Sequence, residues 1–170
     1  MANRQIILFF AKALGVFGLW YGLYELWLLP DGRLDAWLSR NIVHVSGALL
    51  SGLGLEAFTA GRTVGLAGQP GIEIVDGCNG IASVGLFMGF VIAYPGRWGP
   101  RAGFIAFGVG VIWAVNIARI TVLGLTQAWW PAFFSLTHDY STTAIFYMAI
   151  FGLWMVWANV GQSSKLKAES

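Results

Sequence analysis

A single cysteine, two histidines and a charged fraction of only 11% limit the chemistry open to this 170-residue chain. One thiol excludes a disulfide within the chain, and one cysteine with two histidines falls short of a conventional Cys/His metal site. Neither a metal nor an organic cofactor is expected. The net charge of +2 is small and its basic residues are scattered, which excludes a nucleic-acid partner. With 57% hydrophobic residues there is no room for a separate soluble domain, and the composition is that of one membrane domain. The chain has no long internal repeat and no low-complexity linker. Gly108-x-Gly110 lacks the third glycine and the preceding strand of a dinucleotide fingerprint.

What is abundant is apolar sequence in long runs. Residues 5–29 are long enough to span a bilayer, which takes about 20 residues. Lys12 lies near one end of that run, where it can snorkel. The run ends in Trp20, Tyr21, Tyr24 and Trp27 rather than a small-residue cleavage site, so it reads as a retained anchor. Residues 33–40 are polar and read as interfacial. Residues 41–58 read as a weak span, a re-entrant helix or an interfacial helix. Residues 62–77 carry short β-type runs around a Gly/Pro turn, an extended or hairpin segment that cannot lie in lipid. Further spans are expected over 78–95, 102–125 and 138–159. Gly18-x-x-x-Gly22 and Gly85-x-x-x-Gly89 are small-residue pairs suited to close helix packing.

The turn Pro95–Arg101 contains two arginines, which the positive-inside rule assigns to the cytoplasm. Cys78 is then extracytoplasmic. The fold expected is an all-α multi-pass membrane protein with about four to five transmembrane or re-entrant helices and a short extended segment before the cysteine.

Three residues stand out chemically. Asp76 is positioned to cap a helix with Cys78 in its first turn, where the helix dipole stabilises a thiolate. The alternative is a small buried hydrophobe. Arg119 lies about 12 Å inside its expected span, where a charge costs at least about 2.5 kcal/mol and calls for a partner or a task. Asn116 is one turn earlier on the same face. His138 opens the last helix, next to Asp139, and there a neutral imidazole is able to accept a proton. Cys78, Arg119 and His138 come from three helices yet fall at similar depth. A thiol, a cation and a base at one depth suit acyl transfer to cysteine. His44 competes for the role of base only if its segment packs beside the site.

Cys78-Asn79-Gly80-Ile81 before an apolar span, Asn116-x-x-Arg119-Ile120 in the next, and His138-Asp139 opening the last together resemble the exosortase/archaeosortase family. The resemblance covers roughly Ile72 to Ile150. It implies a membrane cysteine transpeptidase acting on exported proteins whose C-terminal signal is a short motif, a transmembrane helix and a basic cluster. It further implies Cys78 as nucleophile, His138 as general base and Arg119 as oxyanion or substrate-positioning group, with Asn79, Asn116 and Asp139 in support. The location implied is the cytoplasmic membrane, with lipid as its surroundings and the active site on the outer side. Two departures are Asp139, where many members have glutamate, and the short chain of a compact member. The competing reading is a non-catalytic assembly or maturation factor, or a small membrane protein in which Asn116 and Arg119 bind an anionic solute or lipid.

Overall fold

Gly32 is where the chain first turns away from its opening helix. The computed structural model describes the backbone of residues 2–169 and the side chains of residues 4, 6–137, 140 and 144–161. The first helix, α1 (Ala2–Leu23), widens into a π-helical turn at Tyr24–Leu28 and closes with Leu29–Asp31. The widened turn comes just before Pro30, whose missing N–H leaves a carbonyl of that turn without its usual donor. Gly32 then takes φ 66°, a left-handed conformation that costs glycine little.

The next helix, α2, runs Arg33–Gly52 and corrects the expected boundaries in this region. The polar stretch 33–40 and most of 41–58 form one helix. Its buried residues, Asp35, Ser39, Ile42, Val43, Ser46, Gly47 and Leu50, repeat at helical spacing along a single stripe. After Gly54, also left-handed at φ 82°, the first strand begins at Ala57, five residues before the expected start of the extended segment at residue 62.

Three strands follow, β1 (Ala57–Ala60), β2 (Thr63–Leu66) and β3 (Ile72–Glu73), in the antiparallel order β1-β2-β3. The register pairs Ala57 with Leu66 and Ala60 with Thr63, then Val64 with Ile72. Val64, Gly65 and Leu66 are buried beneath α2. The short sheet delivers the chain to the turn that holds Cys78.

The remaining helices are α3 (Ile81–Ala93), α4 (Trp98–Trp129) and α5 (Phe134–Glu169), with one 3-10 turn at Pro131–Phe133. The helix expected to begin at residue 78 starts three residues later. The one expected over 102–125 is longer at both ends, and the last begins four residues before 138. At 1.5 Å per residue α4 extends for about 48 Å, well beyond a hydrocarbon core of about 30 Å. Its excess length is covered by protein. Ile117, Ile120 and Leu123 pack with Ile42, Val43 and Leu50 of α2 and with the sheet residues Val64, Leu66 and Ile72.

A second core lies around the earlier part of α4. There Ile112 joins Phe87 and Val91 of α3 with Phe146, Ile150, Leu153 and Trp157 of α5. A side chain on Gly108 would collide with the Phe87 ring, and one on Gly85 with Trp20, so both glycines allow helices to pack closely. Gly18 and Gly22, by contrast, have no neighbouring element within contact distance of a Cβ.

Three stretches, Ile6–Asp31, Trp98–Trp129 and Ala144–Gly161, are helical, long and apolar enough to cross a membrane, and α3 is a shorter apolar helix beside them. The chain is an all-α multi-pass membrane protein carrying a small sheet. The two cores meet at the loop between β3 and α3, and Cys78 is in that loop.

Candidate active site

The loop from Val75 to Gly80 is fixed from several directions. The Cys78 N–H donates to the Val75 carbonyl at 3.0 Å, closing a turn. Asp76 does not cap a helix. Its carboxylate pairs with Arg62, which also donates from Nε to the Ile74 carbonyl and from Nη2 to Ser39 Oγ, each at 3.0 Å. Arg62 thereby joins α2, the residue that follows β3 and the loop. The helix-starting role falls to Asn79 and Gly80: the Ile81 N–H donates to Asn79 Oδ1 at 3.1 Å, and Gly80 is the N-cap at φ 85°. Cys78 thus precedes the helix rather than lying in its first turn, because the carboxylate expected to cap is engaged elsewhere.

Asn79 is in turn held by a residue that sequence reading passed over. Its Nδ2 donates to Asp35 Oδ1, which also accepts from the Tyr24 hydroxyl at 2.8 Å. Asp35 is fully buried, and its Oδ2 has no hydrogen-bond partner among the described residues. A buried carboxylate of this kind is costly unless well supplied with donors. The signal was present in the spacing: Asp35 and Ser39 extend the apolar stripe of Ile42, Val43 and Ser46 backwards by two turns.

On the other side the loop is clamped from α4. Asn116 Nδ2 donates to the Cys78 carbonyl at 3.1 Å, and Arg119 Nη2 donates to the same oxygen at 3.0 Å. Asn116 is fully buried and Arg119 is 4% exposed. The guanidinium also interacts with the Cys78 side chain and lies over the Phe146 ring, 5.5 Å from its centroid. Arg119 is therefore not a snorkelling arginine. The turns of α4 beyond it pack against α2 and the sheet, and Arg119 sits where the two cores join.

A cavity of about 260 Å³ opens at this point. Its lining includes Gly77, Cys78, Ser83, Arg119, Phe146 and Tyr147. Cys78 is partly buried and packs on the core beneath the sheet, so its thiol lies between that core and the open cavity. The floor is mainly apolar, with a few polar groups converging on it, as is usual for a substrate site.

Of the expected site residues, the structure brings together Cys78, Asn79, Asn116 and Arg119. His138 and Asp139 fall on α5, but their side chains lie outside the described residues. His44 is on the exposed side of α2 and does not line the cavity.

Residues 2–155 match the family described as transmembrane exosortase (Exosortase_EpsH). No curated protein and no solved structure matches the chain.

Proposed function

The chain belongs to the transmembrane exosortase family, and from that premise we propose that it is a membrane cysteine peptidase or transpeptidase with Cys78 as its nucleophile. The observation that carries this reading is the double clamp on the Cys78 carbonyl by Asn116 and Arg119, at the edge of an open cavity. It fixes the main chain beneath the thiol and brings a planar cation to the same atom group, as a preorganised acyl-transfer site requires.

In the proposed cycle His138 accepts the thiol proton. The Cys78 sulfur attacks a substrate peptide carbonyl, forming a tetrahedral oxyanion that the guanidinium of Arg119 stabilises. Collapse breaks the C–N bond, His138 protonates the leaving amine, and a thioester remains on Cys78. An amine acceptor or water then takes the acyl group, with His138 again accepting the proton. Asn116 and Asn79 hold the loop, and Asp139 supports the base. The substrates are exported proteins ending in a short motif, a transmembrane helix and a basic cluster. The enzyme resides in the cytoplasmic membrane, with the two-arginine turn at Arg97 and Arg101 inside and Cys78 outside.

The non-catalytic alternative, with Asn116 and Arg119 holding an anionic solute, is less well supported. It gives no task to the lone thiol of Cys78, which lines the same cavity as Arg119.

The experiment is labelling of intact cells with a membrane-impermeant thiol reagent. Cys78 is the only cysteine, so every modification reports on it. Rapid labelling that is slowed by Arg119→Gln and by His138→Ala supports an activated extracytoplasmic thiol. Failure of the folded protein to react would sink the proposal.

A further inference from the structure

At the other end of α3, the segment Tyr94–Arg97 and the start of α4 enclose a second cavity against α1. It is about 510 Å³ in volume, and its lining includes Lys12, Gly15, Tyr94, Pro95, Trp98 and Arg101. The 13 residues of α3 separate it from Cys78 by about 20 Å, so it is no part of the site above.

Two positive side chains line this cavity, and no acidic residue does. Arg101 is only 5% exposed. Its Nη2 donates to the Tyr94 and Gly96 carbonyls, both at 2.9 Å, and its guanidinium stacks on Trp98 with 4.4 Å from Cζ to the ring centroid. Its Nε is buried with no hydrogen-bond partner among the described residues, and no described carboxylate pairs with it or with Lys12. Carbonyls and aromatic rings do not neutralise a buried cation, and a second cation on the same cavity raises the demand for an anion.

The surrounding chemistry narrows the class of that anion. Lys12 is exposed, about two turns into the apolar run that starts at Ile6, a depth from which a lysine extends to the headgroup layer. Below it the wall is Val16, Ile92 and Ala93, an apolar surface suited to an acyl chain rather than to water.

We propose that this cavity is a binding site for an anionic phospholipid, its phosphate resting between Lys12 and Arg101 and its acyl chain lying along α1. Basic pockets between membrane helices recognise anionic headgroups in this way. A lipid bound there bridges α1 to the α3–α4 turn.

The test is native mass spectrometry of the full chain in detergent. It would be titrated with phosphatidylglycerol, with phosphatidylcholine of the same acyl chains, and with inorganic phosphate as competitor. The expected result is several-fold stronger retention of phosphatidylglycerol than of phosphatidylcholine, reduced about fivefold by Lys12→Gln and unaffected by Arg33→Gln, whose side chain pairs with Asp31. Arg101 also braces its turn, so the exposed Lys12 is the primary variant; Arg101→Lys, which keeps the charge, should fold and still prefer the anionic lipid. Equal retention of the two lipids, or no change in Lys12→Gln, overturns the proposal. Displacement of the lipid by millimolar inorganic phosphate overturns it in favour of a soluble anion.

Discussion

Arg119 Nη2 lies 3.0 Å from the main-chain oxygen of Cys78, so the guanidinium that faces the thiol also anchors the backbone carrying it. Replacement by lysine keeps the charge and removes the planar fork. Arg119→Lys should reduce processing about 100-fold, the cost of losing one preorganised donor. Its expression level and thermal midpoint should stay close to wild type. Processing rates in membranes report the first effect, and retention of the full rate would show that the fork is dispensable.

Gly80 and Gly77 flank the Cys78 turn with nearly the same backbone, φ 85° and 82°. Their surroundings differ. A Cβ on Gly80 would meet Asn116 Nδ2 at 3.4 Å, whereas nothing lies within 4 Å of one on Gly77. Asparagine tolerates left-handed backbone, so Gly77→Asn should keep most activity, whereas at Gly80 the amide would have to extend past a Cβ already in contact with Asn116, Ile112 and Phe146, and Gly80→Asn should lose activity. Equal effects from the two substitutions would mean that backbone strain, and not crowding at Asn116, governs the turn.

Asp35 accepts from both Tyr24 and Asn79 in a fully buried position. Asp35→Leu leaves both donors unsatisfied and should destabilise the protein by about 2–4 kcal/mol. Tyr24→Phe removes one donor and leaves the other satisfied, for about 1 kcal/mol. Denaturation in detergent measures both, and the prediction fails if the order is reversed.

Arg62 joins Ser39, Ile74 and Asp76 through one guanidinium. Its replacement by alanine should leave α3 protected and speed amide exchange in residues 74–80 about 10- to 100-fold, matching two or three lost bonds. Hydrogen exchange read by mass spectrometry resolves the two regions. Uniform acceleration would instead indicate global destabilisation.

These contacts mark what was legible in the sequence and what was not. The apolar runs declared the membrane helices, since length and composition suffice for that. That Cys78, Asn116 and Arg119 come together was legible, because a lone thiol and a charge within an apolar helix each call for an explanation. The extent of α2 was obscured because its inward face mixes Asp35, Ser39 and Ser46 with Ile42 and Val43, which lowers its hydropathy without breaking its period. The cap at Asn79 was misassigned to Asp76 because two acceptors stood close together in sequence. Only the position of Arg62, set by β1–β2 pairing, decides which of them is taken by a cation.

We propose that Cys78 cuts exported proteins, and the most direct test maps the C-termini of exported proteins in cells carrying the wild-type protein or Cys78→Ala, with the variant present in membranes at wild-type level. If Cys78 is the nucleophile, a defined set of proteins keeps its C-terminal membrane helix in the variant and loses it in the wild type. Identical C-termini in the two strains would contradict the peptidase assignment.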